Sequence, residues 1–176
     1  MSGFVERVIG DWLTSASERS YQLAFAAYLA RSGHAVKYVS PHSTLEHGKD
    51  IVSVRQGELN AYQLKAGNVS LATWRGIVDE VREAATVPVD VPGIRRRVAD
   101  RAYLVLTGRL SDPVRHQISL INEDHATRGF AQIEVIEIDE LVSTFARVFE
   151  AFCPNEIGAL HRLVELYLRD GSGPQE

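Results

Sequence analysis

The chain has one cysteine, one methionine and only 8% aromatic residues among its 176. A single cysteine, Cys153, excludes an intrachain disulfide and a cysteine-based structural zinc site, which fits a reducing, cytoplasmic setting. No apolar run approaches the ~20 residues of a membrane span, so no membrane association is expected. The first residues carry Glu6 and Asp11 and no basic stretch, unlike a secretory signal. Gly-x-Ser-x-Gly, Walker and dinucleotide-binding patterns are also missing, leaving serine-hydrolase, NTPase and Rossmann-enzyme readings without a motif. Nor is there an excess of positive charge: 19 Lys+Arg stand against 23 Asp+Glu, net −4.

What is present is an ordinary globular composition, 45% hydrophobic and 24% charged, at a length that suits one domain. The charge is uneven. Residues 31–120 hold 13 basic and 9 acidic side chains, a balance of +4, which leaves −8 for the other 86 residues. A polyanion would favour this middle region, where Arg95, Arg96 and Arg97 form either a solvated loop or a phosphate clamp.

Hydrophobic spacing predicts a short amphipathic helix over 3–13 and a second over about 18–32, capped by Ser17 and stopped at Gly33. Alternation then predicts strands over 34–40, 49–54 and 58–66, the last two joined by a Gln56-Gly57 hairpin turn. A helix over about 70–86, capped by Ser70, should turn Leu71, Trp74, Ile77, Val78 and Val81 inward. The stretch 86–97, with two prolines and a glycine, is a loop, and the apolar run 102–107 is a strand covered on both faces. A helix from Ser111 to about 125, a strand over 132–138 and helices over 139–152 and 155–169 complete the order, before a flexible tail at 171–176. This is an α/β domain spanning 1–170, with a mixed central sheet flanked by helices.

The hairpin carries the chemistry. Its first strand opens Gly48-Lys49-Asp50 and its second ends Gln63-Leu64-Lys65. In a hairpin centred on Gln56-Gly57, Asp50 falls opposite Gln63–Lys65, and Gln63 and Lys65 share one face. An acid, an amide and an ammonium thus meet at one end of an otherwise apolar ribbon. A plain cross-strand ion pair would be worth ~0.2–1 kcal/mol. His42 and His47 flank Glu46, which could suggest zinc, although histidines in a polar loop are more often solvated. Tyr62 and Trp74 suit core packing, and Cys153 lacks a basic neighbour that would activate it.

Gly-x-Asp, a dozen residues, then Gln-x-Lys resembles the restriction-endonuclease-like superfamily, and within it the Mrr-like branch, whose second acid is commonly glutamine. The family's αβββαβ core resembles residues 18–138, leaving an added N-terminal helix and a C-terminal helical extension over 139–170. The first core helix, YQLAFAAYLARSGH, and the segment LVLTGRLSDPVRHQ resemble the family as well.

The resemblance implies a metal-dependent endonuclease that hydrolyses DNA phosphodiester bonds with Mg²⁺ or Mn²⁺. It further implies a role in restriction or antiviral defence, alone or within a larger effector. Asp50 corresponds to the metal-ligating aspartate, Gln63 to the acid-or-glutamine position and Lys65 to the motif lysine, with the Leu64 carbonyl as a further ligand. The first-helix glutamate position is Gln22 here; Glu18, one turn earlier, and Glu46 are alternative oxygen donors. Lys49 and Arg95–Arg97 are the candidate nucleic-acid contacts. Such enzymes often act as dimers, and Val148, Phe149, Phe152, Leu160, Leu163 and Leu168 could form an interface or complete the core. The alternative is a degenerate module that binds nucleic acid or a protein without cleaving.

Overall fold

The computed structural model describes residues 3–41 and 47–152. Its elements run α1 (Phe4–Ser15), α2 (Glu18–Arg31), β1 (Ala35–Val39), β2 (Ile51–Arg55), β3 (Glu58–Lys65), α3 (Leu71–Thr86), β4 (Arg101–Leu106), α4 (Asp112–Arg128), β5 (Ile133–Ile136) and α5 (Ile138–Phe152). This is the order expected from the sequence as far as residue 152. The helix expected over 155–169, the tail, Cys153, His42, Glu46, Leu160, Leu163 and Leu168 lie outside the described residues, as do the side chains of Phe149 and Phe152.

The five strands form one mixed sheet in the order β1-β2-β3-β4-β5. β2 runs antiparallel to both its neighbours, β1 and β3, whereas β3, β4 and β5 are parallel and connected through α3 and α4. The β2–β3 register pairs Arg55 with Glu58 and Ile51 with Tyr62, as a two-residue turn at Gln56-Gly57 requires. Both turn residues have positive φ, 51° and 87°, the twist that suits a tight hairpin.

Helices cover both faces. On one, Trp74, Val81 and Ala85 of α3 and Val114, Ile118 and Ile121 of α4 pack on Ala102, Leu104, Leu106 and Ile133. On the other, Tyr21, Phe25 and Leu29 of α2 and Leu141 of α5 enclose Ile51, Tyr62, Leu64 and Val105. β4 is therefore buried from both sides, which accounts for its continuous apolar run. A smaller cluster of Val52, Leu59 and Val89 lies under the loop that precedes β4.

Three local expectations change. Lys49 and Asp50 precede β2, because the chain turns at Gly48 and enters the sheet at Ile51. Leu71, expected inward, is 37% exposed, since it opens α3 one turn before the helix meets the sheet at Trp74. In α1 only Leu13 is buried, because that helix packs on α5 rather than on the sheet. No helix among the described residues is long and apolar enough to cross a membrane.

Candidate active site

Antiparallel pairing of β2 with β3 ends at Ile51–Tyr62. One residue earlier, the Asp50 N–H still donates to the Tyr62 carbonyl at 2.8 Å. Beyond that point β3 continues alone on this side, so the N–H and C=O of Leu64 have no strand partner. The N–H donates instead to Asp50 Oδ2 at 2.6 Å. The Leu64 carbonyl receives only a long 3.5 Å approach from the Gln63 amide nitrogen. Asp50 and Gln63 are 4% and 3% exposed, and Gln63 Oε1 is buried without a hydrogen-bond partner among the described residues. An unpaired buried amide oxygen costs about 1–3 kcal/mol, so this corner holds unused acceptor capacity.

Lys65 closes the corner from the α3-facing side of β3. Its Nζ lies 2.8 Å from Glu80 Oε2 on α3 and 3.7 Å from Glu18 Oε1 on α2. Burial alone would lower its pKa; the hydrogen bond to Glu80 and the charges of Glu18, Glu80 and Asp50 outweigh it and raise the pKa above the ordinary lysine value. The ammonium is held charged.

The surroundings fix the backbone. Tyr21 Oη lies 3.1 Å from both the Lys65 and Val105 carbonyls and donates to that pair, tying the ends of β3 and β4 together. Its own pKa is raised well above the usual value by burial first, then by the nearby charges of Glu18 and Asp50. Thr107 Oγ1 accepts from the Gly67 N–H at 2.9 Å and pins the loop that follows Lys65. At Gly48, with φ +67°, an added Cβ would stand 1.8 Å from the Glu80 carbonyl oxygen. Only glycine lets the turn before Asp50 lie this close to α3.

Asp50, Gln63, Leu64 and Lys65 thus come together as their spacing predicts, and Glu18 reaches the same corner. The Gln22 Nε2 donates to the carbonyls of Asp50 at 3.1 Å and Ser40 at 3.3 Å. That position braces the Asp50 main chain. Lys49, expected at the surface as a nucleic-acid contact, is turned inward. It is 4% exposed, with Nζ bonded to the carbonyls of His47 at 2.9 Å and Glu83 at 3.1 Å. Burial pushes its pKa down to about 8 against the opposing charge of Glu83.

Arg95–Arg97 lie on the loop packed at the far end of the hairpin. Arg97 donates to the Gly57 carbonyl at 2.9 Å and pairs with Asp100 at 3.0 Å. Gly57 and Lys65 are separated by eight residues of extended chain, about 26 Å. Glu80 was not readable as a site residue, because only the packing of α3 brings it to Lys65. Its one sequence signal is an acid flanking the apolar stripe, three residues after Ile77 and four before Ala84.

The donors suit a hard cation in part. A carboxylate, a main-chain carbonyl and an unpaired amide oxygen are the oxygen ligands that Mg²⁺ or Mn²⁺ takes. Among the described residues no three His, Cys, Asp or Glu side chains converge closely enough to hold a metal by themselves. A metal here would rest on Asp50 and the Leu64 carbonyl, with the Gln63 amide beside them to hold a water.

No protein-family profile matches the chain, and no curated protein matches it. Among solved structures it is similar to the MspJI restriction endonuclease in complex with a 27-mer oligonucleotide. That similarity has a TM-score of 0.55 at 17% sequence identity, and covers 91% of this chain but 35% of the other. The chain spans about a third of that neighbour's length. The mixed five-stranded sheet with helices on both faces has a restriction-endonuclease-like fold.

Proposed function

We propose that this protein is a metal-dependent endonuclease of the Mrr-like type, hydrolysing DNA phosphodiester bonds with Mg²⁺ or Mn²⁺. The observation that carries the reading is the corner where β2 begins. There Asp50, the buried carbonyl of Leu64, the unpaired oxygen of Gln63 and the Lys65 ammonium meet. Asp50 and the Leu64 carbonyl would hold the cation, which when bound polarises a phosphate and acidifies a water. Gln63 orients that water through its amide. Lys65, kept protonated by Glu80, stabilises the charge that gathers on the phosphate oxygens. With an amide in place of a second acid, the site suits one cation better than two. The protein works in the cytoplasm, in restriction or antiviral defence, as one nuclease domain that dimerises or joins a larger effector.

Nicking of supercoiled plasmid by the purified protein tests this. Cleavage should appear with Mg²⁺ or Mn²⁺, vanish in EDTA, and be lost in Asp50→Ala and Lys65→Ala. Cleavage that survives both substitutions would overturn the site. A second reading, a module that binds nucleic acid without cutting, draws on the lack of a three-acid cluster among the described residues. It predicts equal DNA affinity with Mg²⁺ and with EDTA, and no cleavage with either metal.

A further inference from the structure

The side chain of Lys65 is long, flexible and placed at the end of a strand, so its own backbone leaves the ammonium position loosely defined. What defines it is the pair of acids that meet it from opposite layers. Glu18 is 3.7 Å away, a loose ion pair, while Glu80 is at hydrogen-bond distance, 2.8 Å. Glu80 is itself tied to the other half of the site. Its carbonyl is the atom against which Gly48 packs, so the α3 turn carrying Glu80 and the turn leading to Asp50 are in van der Waals register. Three residues on, the Glu83 carbonyl accepts from Lys49 Nζ at 3.1 Å, and the Glu83 carboxylate lies 3.8 Å from His47 Nδ1. The segment Gly48–Asp50 and the residue Lys65 thus take their positions from one turn of α3, residues 80–84.

A second observation points to the same place. Gln63, two residues before Lys65 on the same face of β3, keeps a buried oxygen without a partner among the described residues. The strand position that holds an acid or glutamine in this motif is here uncharged, and the nearest tight carboxylate on Lys65 comes from α3 instead.

We propose that Glu80 is the positioning residue of Lys65: it fixes the ammonium relative to Asp50 and the Leu64 carbonyl, supplying from α3 the negative charge that Gln63 does not provide. The proposal rests on the nuclease reading for its consequence, but its geometry can be tested without cleavage. Glu80 is about half exposed, so Glu80→Gln preserves shape and should fold.

The experiment is side-chain NMR of the Lys65 ammonium in the full chain, assigned by its loss in Lys65→Arg, alongside plasmid nicking by the same proteins. In the wild type the ¹⁵Nζ–¹Hζ signal should be protected from solvent exchange. Glu80→Gln should abolish that protection, Glu80→Asp should restore part of it, and Glu18→Gln should leave it nearly intact. Cleavage should fall on the order of 10- to 100-fold in Glu80→Gln and less than about threefold in Glu18→Gln. Protection that persists in folded Glu80→Gln, or that Glu18→Gln removes as fully, would overturn the proposal. If wild-type protein shows the NMR pattern but never cuts DNA, the positioning role stands and the nuclease reading fails.

Discussion

Burying the Lys49 ammonium has a measurable cost that depends on pH. Its pKa is pushed down to about 8 in the folded protein, against an ordinary value of 10.5 in the unfolded chain. Between those two values the unfolded chain holds a proton that the folded protein has released, so stability rises with pH across this window. Each pH unit is worth up to 1.36 kcal/mol, and the whole gap corresponds to about 3 kcal/mol. Solvent reaching the turn at His47 screens part of that charge, which reduces the expected gain to about 2 kcal/mol between pH 8 and 10. The raised pKa values of Tyr21, Tyr62 and Tyr103 act in the opposite direction from about pH 9 upward, where the unfolded chain begins to ionise its phenols, so the lysine is read from the difference between wild type and Lys49→Met. Urea denaturation at constant ionic strength, at pH 7, 8, 9 and 10, should show the midpoint climbing above pH 8 with an unchanged slope. In Lys49→Met the midpoint should stay flat from pH 7 to 9 and fall toward pH 10 as the unfolded-state tyrosines ionise. A flat wild-type profile, or a climb that survives the substitution, would refute the assignment of Lys49 as a buried, strained base.

Two further substitutions probe how the corner is built. Gly48→Ala sets a methyl group 1.8 Å from the Glu80 carbonyl in a left-handed backbone, and should cost about 3 kcal/mol or more, read as a drop in the urea midpoint together with lost cleavage. Gln22→Glu restores the acid of the motif but removes the donor shared by the Ser40 and Asp50 carbonyls; it should destabilise by about 1–3 kcal/mol at pH 7, and less near pH 5, where the carboxyl is partly protonated. A stabilised Gln22→Glu protein with tighter Mn²⁺ binding would show that this position faces the cation.

The fold was legible where local physics decides it. The Gln56-Gly57 turn accepts two positive φ angles, so one dipeptide set the β2–β3 register and with it the meeting of Asp50 with Gln63–Lys65. The apolar run of β4 announced a strand covered twice. Residue roles that depend on where a long side chain ends were not legible. Lys49 is charged, which suggested a phosphate contact, yet its ammonium donates to two main-chain carbonyls that the folded chain brings near. Gln22 resembled a ligand by position, while its amide nitrogen satisfies two carbonyls from segments 18 and 28 residues away. Glu80 was hidden for the same reason: its partner is fifteen residues earlier, across a loop and half a helix.

The packing of α1 against α5 joins the two ends of the described chain. Trp12 meets Phe145 edge-on, and Gly10 faces Val142. During synthesis α5 emerges about 120 residues after α1, an interval of roughly 6–24 s at ordinary elongation rates. For that time the α5 face that Gly10 and Trp12 meet is absent. The αβββαβ core can assemble behind α1, with its site corner formed from α2, the hairpin and α3. Docking of α1 on α5 can therefore follow only after every residue of the site corner has been made.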